Sequence, residues 1–313
     1  MVKIAFWDNC LSERGTSVAL YDYAYYNKYY LKNESIIIYN TSFTYTKQDV
    51  VDKFKKEFEV YGVESFEQVD DILEKSGCDV IYITKAGEYD KQVSKKIKTV
   101  VHCVFLATEP HGNVYASLTP WIKGNDGKYP FVPYMINLPN HDRNMRSELR
   151  IPAEAVVFGR HGGYDQFDIS YVHHEIKKIL RHTRNIYFVF VNTRPFHQHS
   201  NIIYLDKIID LDKKVEFINT CDAMLWGRSD GETFGLSIAE FSVKNKPIFC
   251  TNSGESGHIS LLGDKAILYN QNNLSILLKA FDKNIESKKD WNAYAEYTPE
   301  KVMDKFKQVF IDT

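Results

Sequence analysis

Cysteine is scarce and scattered in this chain. Cys10, Cys78, Cys103, Cys221 and Cys250 are odd in number and contain no CxxC pair, which argues against a disulfide framework or a cysteine-ligated zinc and predicts reduced, buried thiols. Long apolar runs are missing too. None approaches the roughly 20 residues that span a bilayer, and the opening stretch from Met1 to Trp7 turns polar at Asp8 and Asn9, too early for the core of a secretory leader. No transmembrane segment is expected, and the cytoplasm is the expected compartment. Nor is there an excess of one charge: 39 basic residues face 41 acidic ones, for a formal net charge of −2. That balance offers no broad field to a polyanion and argues against a nucleic-acid partner. No GxGxxG follows the first apolar run, against a dinucleotide dehydrogenase. His173-His174, His197 and His199 lack the HExxH or CxxC context of a metal centre, so polar loop is the expectation for them.

Short apolar runs alternating with longer amphipathic stretches are present throughout, which is the βα rhythm of a parallel sheet. Strands are predicted at Ile4 to Trp7, Ile36 to Tyr39, Val80 to Ile83 and Val101 to Leu106, with helices at about Thr16 to Leu31, Asp49 to Phe58 and Phe66 to Lys75. The stretch from Pro110 to Pro139 carries Pro120, Pro130 and Pro133 as well, and reads as ordered loop and linker. A second series follows Pro152. Its strands are Ala155 to Phe158, Ile186 to Val191, Ile202 to Leu205, Ala223 to Trp226, Pro247 to Phe249 and Ala266 to Tyr269, and its helices Ile169 to Leu180, Gly235 to Lys244 and Leu274 to Lys283. The expectation is two doubly wound α/β halves facing across a cleft: residues 1–150, residues 151–290, and a helical segment 291–313 packing back toward the first half. Ligands in such sheets sit beyond the carboxyl ends of the strands.

The most informative segment runs from Gly227 to Glu240, GRSDGETFGLSIAE. It follows a predicted strand and opens a helix, so free backbone N–H groups and the positive end of a helix dipole converge there, which suits a diphosphate. Glu232 stays in the loop while Glu240 lies in the helix, and the two carboxylates flank one anion site. Carboxylates accepting from ribose hydroxyls on one side and sugar hydroxyls on the other would read both ends of a nucleotide sugar. Asp210-Leu211-Asp212 has the spacing of a manganese motif, but it abuts Lys213 and Lys214 at a helix start, where capping explains it.

Glu232-x7-Glu240 with Phe234-Gly235-Leu236 inside it, followed by Lys246-Pro247-Ile248, resembles the signature of the retaining GT-B glycosyltransferases, a group that includes sucrose synthase and many mannosyl- and glucosyltransferases. Val156-Val157-Phe158-Gly159-Arg160 resembles the first strand of that family's donor domain, and Cys221 to Leu225 the strand leading into the glutamate motif. The resemblance implies a GT-B fold of two Rossmann-like domains: an N-terminal acceptor-side domain and a C-terminal donor domain. It implies a hexosyltransferase that takes its sugar from a nucleotide-diphosphate donor, GDP-mannose before UDP-glucose, and passes it with retention to a glycan or glycoprotein hydroxyl. No metal and no other cofactor is expected, and a homodimer is the expected form of any self-association. In this picture Glu232 contacts the transferred sugar, Thr233, Phe234 and the amides of Gly235 and Leu236 line the phosphates, Glu240 holds the ribose, and Arg160 offsets the phosphate charge.

One position departs from the pattern. The family places a lysine five residues after the arginine, and this chain has Asp165. An anion cannot replace a phosphate-binding cation, so Arg194, Arg228 or Arg14 is expected to supply the charge. Arg14 precedes Gly15 in the loop after the first strand, where a glycine lets backbone approach a ligand. His111, in Glu109-Pro110-His111-Gly112, resembles the N-domain histidine that many relatives aim at the reaction centre. A binding-only variant or a GT-B epimerase or phosphorylase is the alternative.

Overall fold

The computed structural model describes residues 1–313. Its parallel strands read as near-continuous apolar runs because helices cover both faces of each sheet. The chain forms two units, one of Met1–Met135 with Glu296–Thr313 and the other of Ile136–Ala295.

In the first unit, six strands run β1 (Lys3–Asp8), β2 (Glu34–Asn40), β3 (Glu59–Val63), β4 (Val80–Lys85), β5 (Lys98–Cys103) and β6 (Val114–Ser117), in the sheet order β3-β2-β1-β4-β5-β6. Central β1 pairs with β2 and β4 on its two sides, so Ile4, Ala5, Phe6 and Trp7 are all buried. Helices α1 (Gly15–Tyr29), α2 (Gln48–Lys55) and α3 (Val69–Lys75) make the crossovers, α3 behind a single 3₁₀ turn at Phe66–Gln68. Two strands go beyond the sequence reading. β3 carries Glu59 and Gly62 at a sheet edge, and β6 lies inside the proline- and glycine-rich stretch read as loop, also at an edge. Glu59 and Gly62 interrupt the apolar run of β3, and β6 contributes only four residues. β5 also starts at Lys98 rather than Val101, because Val80 pairs with Lys98.

The second unit repeats the arrangement with β7 (Val156–Arg160), β8 (Ile186–Val191), β9 (Ile202–Leu205), β10 (Ala223–Leu225), β11 (Gly231–Glu232), β12 (Ile248–Cys250), β13 (Glu255–Ser256) and β14 (Ala266–Leu268). Its main sheet has the order β14-β12-β10-β7-β8-β9, while β11 and β13 pair separately. Helices α4 (Ser170–Leu180), α5 (Leu211–Thr220), α6 (Leu236–Val243), α7 (Gly257–Leu262), α8 (Leu274–Ala280) and α9 (Lys283–Glu286) complete it. His173 and His174 fall on α4 rather than in a polar loop, and His173 stacks on Phe196 at 4.1 Å. In both sheets the strand order reverses beside the first strand, between β1 and β4 and between β7 and β10. Those are the topological switch points where ligands of open α/β sheets bind.

Helix α10 (Pro299–Phe306) begins with Thr298 as cap and proline in its first turn, the arrangement that suits a helix start. It belongs to the first unit, where the rings of Phe306 and Phe310 lie 5.4 and 5.5 Å from Tyr82. All five cysteines are free and buried. No helix is long and apolar enough to cross a membrane.

Candidate functional site

Strand β7 delivers Arg160 to the switch point of the second unit. Its guanidinium is buried, at 4% exposure, and every hydrogen bond it makes goes to a neutral acceptor. Nη1 donates to Thr193 Oγ1 at 2.6 Å and to the Asn192 carbonyl at 3.4 Å, and Nη2 donates to the Gly163 carbonyl at 2.9 Å. A Cβ at Gly162 would stand 2.8 Å from Nη2, so glycine there makes room for the arginine. Burial lowers the Arg160 pKa to about 10, against the opposing pull of Glu232. The result is a buried positive charge without a paired carboxylate, an arrangement that is costly unless an anion arrives.

Strand β10 leads into the loop that carries Arg228 and Glu232. Asp168 anchors this loop by accepting from the Ser229 amide at 2.8 Å and hydroxyl at 2.6 Å. Arg228 donates to Glu232 Oε1 at 3.2 Å and to Asp230 Oδ2 at 3.3 Å. Gly231 has φ +73°, and a Cβ there would sit 2.0 Å from the Glu255 carbonyl oxygen. Only glycine permits the approach of the two backbones by which β11 pairs with β13 and Glu232 is set opposite Ser256. Burial raises the Glu232 pKa, while Arg228, a hydrogen bond from Trp226 and Arg160 pull it down.

Gly235 then turns the chain into α6 with φ +78°. The first intrahelical bond runs from the Ala239 amide to the Gly235 carbonyl at 2.9 Å, which leaves the amides of Leu236, Ser237 and Ile238 as first-turn donors. The Phe234 side chain points the other way. It is 1% exposed and packs on Tyr294 at 5.4 Å, so this residue contributes to the core and offers a ligand at most its backbone. Thr233 is half-buried, its carbonyl oxygen in the close approach to Gly257.

Glu240 does not sit on an open helix face. Its Oε1 lies 2.6 Å from Lys214 Nζ of α5 and its Oε2 2.9 Å from His161 Nε2, next to Arg160 in sequence. Burial pushes the carboxyl up, but Lys214 and His161 outweigh it and hold the pKa at about 2. Burial also lowers the His161 pKa, and Glu240 opposes that shift only in part. Neither Lys214 nor His161 is singled out by sequence. His161 could have been noticed as the neighbour of Arg160, whereas Lys214 reads as an ordinary charge on an amphipathic helix.

Two of the cations expected to replace the missing lysine are occupied. Arg194 Nε donates to Asp165 itself at 2.6 Å, in an exposed pair, so this arginine compensates the departure locally and offers no free charge to a phosphate. Arg228 is engaged by Glu232 and Asp230, as above. In the manganese-like triplet, Asp210 caps α5 by accepting from the Lys213 amide at 2.9 Å, and Asp212 pairs with Arg143 at 3.0 Å.

The remaining expected residues belong to the first unit. Gly15 is the first residue of α1, and the Arg14 guanidinium stacks over Tyr45 at 4.4 Å. His111 Nδ1 lies 2.6 Å from the Glu109 carbonyl, an oxygen that can only accept, so Nδ1 carries the proton and Nε2 keeps its lone pair. Nε2 is buried without a partner, and burial lowers the ring's pKa. Asp8, which the sequence reading passed over, ends β1 at this unit's switch point. It accepts from Ser17 Oγ at 2.8 Å, and burial raises its pKa to about 6.

No family model and no curated protein sequence matches the chain. Solved structures do. Anabaena HepE in complex with UDP and glucose superposes with a TM-score of 0.73 at 13% identity, over 100% of this chain and 100% of that one. The fold is GT-B. A glycosyltransferase from Rickettsia africae gives 0.72 at 12% identity, over 100% of this chain and 99% of that one. The same fold is shared by the lipopolysaccharide outer core galactosyltransferase WaaB, at 0.65 and 10% identity over 98% and 99%. Likeness at these identities concerns architecture, and the chemistry must be argued from the site.

Proposed function

We propose that the chain is a glycosyltransferase that binds a nucleotide-diphosphate sugar at the switch point of its second unit and transfers the hexose to a hydroxyl of a glycan or glycoprotein. The observation that carries this reading is Arg160, a buried guanidinium with only neutral partners, close enough to Glu232 for the two charges to interact. A diphosphate supplies the missing counter-charge, and the first-turn amides of α6 add donors. Glu240, held ionised, accepts from the ribose hydroxyls. Glu232 orients the sugar.

In the transfer, the bond from the anomeric carbon to the diphosphate breaks, the acceptor oxygen bonds to that carbon, and the acceptor proton passes to the departing phosphate. Arg160 and the amides stabilise the charge that grows on the leaving group, which is electrostatic preorganisation and needs no metal. Retention of configuration is the outcome we expect on the resemblance of the glutamate motif. His111, whose Nε2 keeps its lone pair, is the first-unit residue we include in the reaction on resemblance. GDP-mannose rests on resemblance alone. Since HepE was solved with UDP and glucose, UDP-sugars belong beside it in the first assay.

A second reading has a specific basis. A Listeria monocytogenes chain named as a UDP-N-acetylglucosamine 2-epimerase shares the fold, at a TM-score of 0.64 and 11% identity over 100% of this chain and 97% of that one. Incubation with a panel of UDP-, GDP- and ADP-sugars, with and without oligosaccharide acceptors, separates the two. Nucleoside diphosphate released in step with glycosylated acceptor supports transfer. Donor converted to an isomer without acceptor supports the epimerase, and no conversion of any donor overturns both.

A further inference from the structure

Positive charge is also concentrated at the opposite edge of the second sheet. Asp222 immediately precedes β10 and Lys246-Pro247 immediately precede β12. They therefore lie at the amino ends of parallel strands, away from Arg160 at the carboxyl end of β7. A cavity of about 210 Å³ opens there, lined by Asp222, Lys244, Asn245, Lys246, Lys283 and Ser287.

Three lysines line this cavity, and none of their ammonium groups has a carboxylate within ion-pair distance. Lys244 Nζ donates to the Pro139 carbonyl, and Lys283 Nζ to the carbonyls of Ala153 at 2.6 Å and Ala155 at 3.0 Å. Lys246 makes no hydrogen bond through its ammonium, and burial lowers its pKa despite Cys221 and Asp222 pulling the other way. Burial lowers that of Lys244 as well, opposed only by Asp142. The one carboxylate in the wall is already neutralised: Asp222 Oδ2 lies 2.7 Å from Arg146 Nη2 and also accepts from the Val157 amide at 2.8 Å. The negative end of α6 accounts for part of the preference for cations near Lys244, but not for three lysines on one concavity.

We infer that this cavity is a second anion site, which takes a phosphate group carried on a small molecule or free in solution. No carboxylate at ion-pair distance offsets the charge of these three lysines, and a dianion brought among them supplies that counter-charge while accepting charge-assisted hydrogen bonds. Ammonium groups are compact point charges with rotatable donors, which suits a tetrahedral phosphate approached from several sides. At ~30 Å³ per water the cavity holds about seven waters, enough for a phosphate and a few attached hydroxylated carbons. The site shares no residue with the proposed donor site, so its occupancy does not depend on the transfer reading.

The test is calorimetric titration of the full chain with inorganic phosphate and with glucose 1-phosphate, in wild type and in Arg160→Met, Lys246→Met and Lys283→Met. Arg160→Met removes the other buried cation that attracts anions, and binding should persist in it. Lys246→Met and Lys283→Met should each weaken binding about tenfold or more, the scale of one charge-assisted hydrogen bond, and Lys283→Met decides if Lys246→Met fails to fold. Tighter binding of the ester identifies a sugar-phosphate site, and equal binding a site for the phosphate group alone. Binding abolished by Arg160→Met and untouched by both lysine variants overturns the inference, as does no binding of either probe to wild type.

Discussion

Lys214 Nζ lies 2.6 Å from Glu240 Oε1, joining α5 to α6 through a pair of which both side chains are at least 85% buried. With His161 on the second oxygen, the carboxylate is fixed in position while each oxygen keeps a further lone pair for a hydroxyl. The pair therefore serves stability and ligand binding at once, and the two roles separate by measurement.

Acid stability follows from the pair. The Glu240 carboxyl is held at about 2 in the folded chain against an ordinary value of 4.5. Its folded pKa is depressed, so its contribution is fully present above about pH 4.5 and is lost as pH falls from there toward 2. Lys214→Met removes the main partner and should flatten that limb of a stability–pH curve from urea melts. The wild-type limb should amount to about 3 kcal/mol at ~1.4 kcal/mol per pKa unit. An identical acid limb in both proteins would mean that Lys214 does not set the Glu240 pKa.

Glu240→Gln should weaken nucleoside diphosphate binding about tenfold or more, because a charged acceptor is replaced by a neutral one, typically worth ~1.5 to 3 kcal/mol. Glutamine is preferable to alanine, since truncation would leave Lys214 buried and unpaired and confuse affinity with folding. The 2′-deoxynucleoside diphosphate is the matched ligand. If Glu240 reads ribose, the mutation should erase most of the preference for the ribonucleotide, and an unchanged preference would remove Glu240 from the ribose site.

Transfer should survive excess EDTA. The argument rests on Arg160 and the α6 amides as the phosphate-neutralising groups and on the engagement of Asp210 and Asp212 within the fold. Activity abolished by chelation and restored by manganese would show that the diphosphate is neutralised in another way.

Much of this fold is legible in the sequence because buried parallel strands have to be apolar throughout. Ile186–Val191 and Ile202–Leu205 are read with their observed bounds. Strand β3 escapes because Glu59 and Gly62 interrupt its apolar run, β6 because its four residues sit in a proline- and glycine-rich stretch, and the two-residue β11 and β13 are too short for any period. The site divides in the same way. Arg160, Glu232, Gly235 and Glu240 lie on a contiguous strand end and a contiguous loop and helix, so a resemblance of local motifs can single them out as candidates. Lys214 meets Glu240 across 26 residues, through the docking of two helices that no local pattern encodes. Arg194 was expected to serve a ligand, but Asp165 attracts it first, a pairing across 29 residues that a sequence motif does not express.

Glu232 offers the sharpest test of the proposed chemistry. Burial raises the pKa of its carboxyl, and Arg228, Trp226 and Arg160 oppose that shift only in part. If it orients the sugar and offsets positive charge as the anomeric carbon becomes oxocarbenium-like, its contribution grows in the transition state rather than on binding. Glu232→Gln preserves shape and an oxygen acceptor for a sugar hydroxyl but removes the charge. We expect kcat to fall by about 10²-fold or more, the scale of one lost electrostatic stabiliser, with a donor Kd within about tenfold of wild type. Arg228 complicates the outcome, because the mutation also frees it from its 3.2 Å contact with Glu232. The double variant Arg228→Met/Glu232→Gln controls for this: if the liberated arginine causes the loss, removing it should restore kcat, whereas a carboxylate acting on the sugar leaves kcat low. Equal losses in kcat and affinity for the single variant would make Glu232 a uniform binding residue, and no loss in either would leave it as a structural partner of Arg228.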